Sequence, residues 1–220
     1  MNSELPTAFC WTRFGTEAGQ GIVEIARRKE EERRANSGLF LWGIGNALGP
    51  SIRSLIAVEC NPLVLFSPTR SPARAVDAAP RSVVVWSRAH TLAGEEYVLP
   101  ASSLITSHSD PQTPKLVHYA LVCHSSVPVR FQPSGMPIVL PSLRNLQTGN
   151  PVGASQVTAV VTPIETDAHA PAYDVAYQAA LVPPYFLRLF DPRPLVPSAR
   201  DGWQTPVDLE WARRLQTQPF

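Results

Sequence analysis

From residue 8 to residue 68 apolar runs and helix-like patterns alternate along the chain. AFCWTRF, residues 8–14, has the compact apolar character of a short strand. Residues 16–36 follow, with Ile22, Val23, Ile25 and Ala26 as an apolar patch and RRKEEERR as a solvated end whose acids and bases pair along a helix surface. ANSG closes this helix, with Gly38 as its left-handed stop. GLFLW then reads as a strand, PSIRSLIA as a helix with Pro50 in its first turn, and PLVLFS as a strand.

The pattern changes after Pro72. SVVVWSRA, HYALVCHS and SQVTAVVTPI are β-branched runs of strand type, joined by long proline-rich connections. From residue 166 onward, short helices separated by proline breaks are expected, forming an extension wrapped on a domain of residues 1–165. The order strand, helix, strand, helix, strand and then strands predicts a mixed α+β fold, with strands closing into a small barrel flanked by helices.

Composition narrows the class. With 220 residues, 44% hydrophobic and 17% charged, the chain can bury one substantial core. Its 23 prolines cut regular structure short. A formal net charge of +1 gives no global field able to hold a polyanion, so any nucleic-acid contact must be local. Lysine occurs only at Lys29 and Lys115, leaving arginine to supply the other basic groups. Cys10, Cys60 and Cys123 are an odd number at wide spacing, which suits free thiols in a reducing cytoplasm. No run has the length of a membrane span, and the start MNSELPTAFCW lacks the pattern of a secretion signal, so a soluble cytoplasmic protein is expected.

The stretch richest in chemistry is GLFLWGIGNALGPSI, residues 38–52. Gly43, Gly45 and Gly49 lie between a strand and a helix, as in a dinucleotide fingerprint. That fingerprint needs its third glycine three residues after the second, and Gly49 comes one too late. No Gly-Lys-Ser/Thr ending follows, so a phosphate loop is also a poor fit. Cys123 and His124 are adjacent in a strand and face opposite ways, which separates them from each other as metal ligands or as a nucleophile and its base. Ser107 to Asp110 forms a polar turn, and Glu95 and Glu96 sit in a loop. No paired carboxylates, H-E-x-x-H or G-x-S-x-G occurs, and neither a cofactor nor a metal is expected.

WGIGN, residues 42–46, resembles the W-x-G-V-R-N element of EVE domains in the PUA-like superfamily, which also holds the YTH and ASCH domains. Upstream, WTRFGTE resembles the first strand of that family; downstream, PSIRSLI and VLFSPTRS resemble its next helix and strand. The likeness spans residues 11–71. It departs at Gly45, where the family has arginine, and at Ser67 and Pro68, near its histidine and serine.

The resemblance implies a nucleic-acid-binding module that recognises a modified base in DNA or RNA. Such a site needs an aromatic face for stacking and polar groups aimed at the base edge. Phe14, Trp42 and Trp86 supply faces, Asn46 and Ser67 edge contacts, Gly43 and Gly45 a thin backbone wall, and Arg13 a flanking contact, with Arg70 and Arg74 on phosphates. The same aromatic residues also suit core packing, and Asn46 suits a turn cap. An enzyme acting on a nucleotide-like small molecule and a non-catalytic scaffold remain the competing classes. The extension from residue 166 offers a surface for a protein partner or a second copy.

Overall fold

The computed structural model describes residues 5–15, 21–69, 84–85, 88–98, 105–107, 117–166 and 172–190. Its first strand is β1 (Phe9–Phe14). The chain then forms α1 (Ile22–Ala35), β2 (Leu39–Ile44), α2 (Gly49–Val58) and β3 (Leu63–Pro68). These are the first five elements the sequence predicts. β3 returns parallel to β1, with Trp11 opposite Leu65 and Arg13 opposite Ser67. A long helical crossover is what a parallel pair requires.

The remaining strands are mostly antiparallel. β4 (Val84–Val85), β5 (Arg88–His90), β6 (Glu96–Val98), β7 (Ile105–Ser107) and β8 (Val117–His124) come next. β9 (Pro137–Val139), a 3-10 turn at Leu140–Ser142, β10 (Leu143–Asn145), β11 (Thr158–Pro163), β12 (Ala172–Asp174) and β13 (Tyr177–Phe190) complete the set. The main sheet runs β10-β11-β1-β3-β13; β8 and then β2 continue it from β13, and β5-β6 also joins β13. β4 pairs with β7, and β9 with β12.

The sheet curls. β2 is four strands from β1 along the ladder, yet the Trp42 indole N–H donates to Thr12 Oγ1 at 3.3 Å. Among the described residues no ladder joins β2 to β1 or to β10, so the curl stays open where the sequence predicts a closed barrel.

The largest departure lies at the C-terminal side. Residues 177–190 were expected to form short helices in an appended segment. They instead form β13, a 14-residue strand inside the main sheet. Pro183 and Pro184 do not end it because the register with β8 shifts between Leu181 and Phe186, which leaves the two prolines in a bulge where no ladder N–H is needed. Residues 1–165 therefore do not complete the sheet without this strand. The expected helices beyond residue 190 lie outside the described residues.

Side-chain alternation along β1 and β3 feeds two separate cores. Cys10, Phe14, Val64 and Phe66 join Phe40, Trp42, Ile44, Ile52, Leu55, Leu121 and Tyr177 on the concave side. Phe9, Trp11 and Leu65 join Ile138, Leu143, Ala159, Val161 and Val175 on the other side.

α1 closes the outer edge of β2. Ile25, Lys29 and Glu32 are its buried residues, at the spacing of one helix face. Leu41 donates its N–H to Glu32 Oε1 at 2.7 Å, and its carbonyl accepts from Lys29 Nζ. Lys29 and Glu32 also pair at 2.8 Å. The charge run is thus only partly the solvated face that the sequence predicts. Arg27 pairs at the surface with Glu24 and Glu31, Arg33 and Arg34 pair with the mostly buried Glu30, and Lys29 and Glu32 stand in for a neighbouring strand. After the Asn36 cap of α1, Ser37 (φ +53°) and the expected Gly38 (φ +96°) both adopt positive φ, and a Cβ at Gly38 would come within 2.6 Å of His124 Nε2.

Candidate functional site

Phe14 ends β1 and Trp42 lies on β2, and the curl of the sheet brings their rings within 5.2 Å, edge to face. Phe66 lies 4.8 Å from Trp42. Phe131, on the irregular segment between β8 and β9, lies 4.4 Å from Phe14 and 6.1 Å from Trp42, and Tyr177 packs 5.8 Å from Phe66. Five rings thus form one nest on the concave side, and edge-to-face contacts of this kind add to the effect of burial. Phe66, Phe131 and Tyr177 were not singled out in the sequence. Each sits in a strand or loop whose proximity to Trp42 depends on the curl.

The nest is nearly closed. Trp42 is 7% exposed and Phe14 6%, whereas Phe131 is half-buried and forms the outer ring. Trp42 spends its one N–H on Thr12, whose hydroxyl also meets Thr158 Oγ1 at 3.0 Å. Beyond Trp42 the chain opens: Gly43, Gly45 and Asn46 are exposed at the end of β2. A Cβ at Gly45 would meet nothing within 4 Å, so internal packing does not require glycine there. Asn46 does not cap α2, whose N-cap position is Leu48.

Arg13 and Ser67 lie on the opposite side of the sheet from this nest. Ser67 is fully buried and accepts the Trp11 Nε1–H at 3.0 Å, so its hydroxyl is engaged inside the second core. Arg13 donates to Tyr173 Oη at 2.8 Å and to the Ala154 carbonyl at 2.6 Å, with its guanidinium 5.2 Å from the Tyr173 ring centre. The physical reason is the two-residue period of a strand: Phe14 and Arg13 are consecutive, as are Phe66 and Ser67, so each pair divides between the faces. The sequence-derived set therefore separates into Phe14, Trp42, Gly43, Gly45 and Asn46 around the nest and Arg13 with Ser67 behind it. Arg70, Arg74 and the Trp86 side chain lie outside the described residues.

The two buried thiols, Cys10 and Cys123, are not poised as nucleophiles. Burial pushes Cys10 up to about 12 and raises Cys123 well above the ordinary thiol range, which keeps both protonated at neutral pH. Among the described residues no three His, Cys, Asp or Glu side chains converge as metal ligands. No described helix is long and apolar enough to cross a membrane.

The segment carrying Phe131 is tied to α1. Glu30 accepts the Val129 N–H at 2.8 Å, Arg33 donates to the Ser125 carbonyl at 3.3 Å, and Tyr177 donates its hydroxyl to the Val127 carbonyl at 3.0 Å. Hydrogen bonds from Arg33, the Val129 N–H and Arg34 hold the Glu30 carboxyl down at about 2, against a partial burial that opposes them. No protein-family model, curated protein or solved structure matches the chain.

Proposed function

We propose that this chain is a nucleic-acid-binding module of PUA-like, EVE-like organisation that recognises a modified base in DNA or RNA at the mouth of the Phe14–Trp42 nest. The observation that carries the reading is convergence: strand ends far apart in sequence place two of its aromatic candidates in contact, next to the exposed Gly43–Asn46 rim. In this reading the base lies against the nest where Phe131 now forms the outer ring. Asn46 meets the base edge, and the exposed backbone at Gly43 and Gly45 admits a planar group closely. Free thiols suit work in a reducing compartment such as the cytoplasm.

One observation favours a second reading, a scaffold without a base site. Trp42 is 7% exposed and its N–H is satisfied internally, as expected of a core residue. Fluorescence titration with single- and double-stranded oligonucleotides carrying different base modifications, at low and physiological salt, separates the two. A base site predicts quenching selective for one modification, stable to salt, weakened in Asn46→Ala and strengthened in Phe131→Ala, where the outer ring is removed. Equal, salt-labile responses from all three proteins would leave the scaffold.

A further inference from the structure

The chain between β8 and β9 crosses the mouth of the aromatic nest as an irregular segment outside the sheets. From residue 126 to residue 135 only Val129, 3% exposed, is buried, and Phe131 is half-buried; both pack on the concave core while their neighbours face solvent. Pro128 and Pro133 fix their own φ and carry no N–H, which stiffens the segment and leaves it few backbone donors. The result is a stiff strap with two apolar anchors.

Its ties are hydrogen bonds at named points. Glu30 of α1 accepts the Val129 N–H at 2.8 Å, and Arg33, itself paired with Glu30 at 2.8 Å, donates to the Ser125 carbonyl at 3.3 Å. The Tyr177 hydroxyl donates to the Val127 carbonyl at 3.0 Å. Further along, the N–H groups of Gln132 and Ser134 donate to the carbonyls of Ala176 and Val175, each at 3.1 Å. At the near end Ser125 stays buried, with its N–H on the Gly38 carbonyl at 3.0 Å. At the far end Gly135 has φ +74° and open space around its Cβ position, which suits a pivot. A segment held by a few hydrogen bonds and two side chains opens more readily than a strand inside the main sheet.

We propose that residues 126–135 form an autoinhibitory strap, latched on α1 by Glu30, which seats Phe131 where a planar ligand ring stacks. Phe131 lies 4.4 Å from Phe14, 6.1 Å from Trp42 and 6.3 Å from Phe66, so its ring already meets the faces an incoming ring needs. The nature of that ligand rests on the base-reading site proposed above, whereas the latch stands on the ties of the strap itself. Phe131 and a base exclude each other from the nest. The ligand therefore binds the open state alone, its apparent affinity is reduced by the fraction of chains that are open, and loosening the latch restores it.

Amide hydrogen exchange of the full chain, read residue by residue by NMR, tests the strap. The Val129, Gln132 and Ser134 amides are expected to exchange together and faster than Leu121 and Cys123 in β8. Glu30→Ala is expected to raise the ratio of strap to β8 exchange about tenfold at all three positions, while Glu31→Ala on the exposed face of α1 leaves it unchanged. Strap amides exchanging at the β8 rate, or an acceleration confined to Val129, would overturn the strap. Titration with the modified oligonucleotides separates this inference from the base reading. Selective binding about tenfold tighter in Glu30→Ala, with the bound ligand speeding exchange of the strap amides, supports both. Equal selective binding by the two proteins, with strap exchange unchanged by ligand, would sink the strap and keep the base site. No selective binding by either protein would remove the base site, and the exchange ratio would still decide the strap.

Discussion

The two faces of β1 are both buried but are held differently. On the concave face, Phe14, Trp42, Phe66 and Phe131 meet through ring contacts, and the polar ties are the Trp42–Thr12–Thr158 chain and the Tyr177 hydroxyl on the Val127 carbonyl. On the opposite face, Trp11 is fixed by Ser67, and Arg13 by Tyr173 and Ala154, through directional hydrogen bonds. The concave face leads to the exposed rim of Gly43, Gly45 and Asn46. The contrast teaches that residues adjacent in a motif are not adjacent in a site when the motif is a strand. The arginine and serine that a base-reading motif would use are structural ties, and the aromatic residues stand alone.

The strongest way to break the comparison is Trp42→Ala. Removing a large buried ring from the nest is expected to lower unfolding free energy by about 3–5 kcal/mol, read as a fall in urea midpoint. A loss under about 1 kcal/mol would mean that the nest is loosely packed and already able to admit a ligand.

Ser67→Ala probes the other face. It leaves the buried Trp11 N–H without its acceptor, an expected loss of about 1–3 kcal/mol, with no change in oligonucleotide response because the hydroxyl faces away from the nest. A selective loss of binding would return Ser67 to the site.

Phe131→Ala acts at the junction of nest and solvent. Its half-buried ring predicts a smaller loss, about 1–2 kcal/mol in thermal unfolding, together with brighter or red-shifted Trp42 emission as water gains access. An unchanged spectrum would show that another ring closes the nest.

The smallest effect concerns the tie that holds this segment on α1. The Glu30 pKa is depressed in the folded chain, so its contribution is present above about pH 4.5 and is lost as pH falls towards about 2. Glu30→Gln should flatten the decline in thermal midpoint over that window, and an identical acid profile in both proteins would remove Glu30 as the acid-sensitive tie.

Several elements were legible because their signals are local. The strand β1, the helices α1 and α2 and the strand β3 follow from apolar periodicity, from Pro50 near a helix start and from Gly38 at a helix end. β13 was not legible, since its proline pair is a helix and strand breaker in any local window and only a register shift against β8 accommodates it. Lys29 and Glu32 were equally opaque. Their burial depends on the free edge of β2 lying under α1, a distant fact for a sequence of alternating charges. Phe14 and Trp42, both named from the sequence as aromatic candidates, are in ring contact, whereas Phe131 and the division of Arg13 and Ser67 onto the other face were not foreseen.

By itself the sequence determined the early strand–helix alternation, the α+β class and the capacity for a core, because hydrophobic period, turn chemistry and composition act over a few residues. The tertiary structure alone decided which side of the sheet each candidate occupies, that the curl stays open among the described residues, and that Phe131 lies over the nest. Those outcomes depend on register and curvature, which arise only when strands distant in the chain choose their partners.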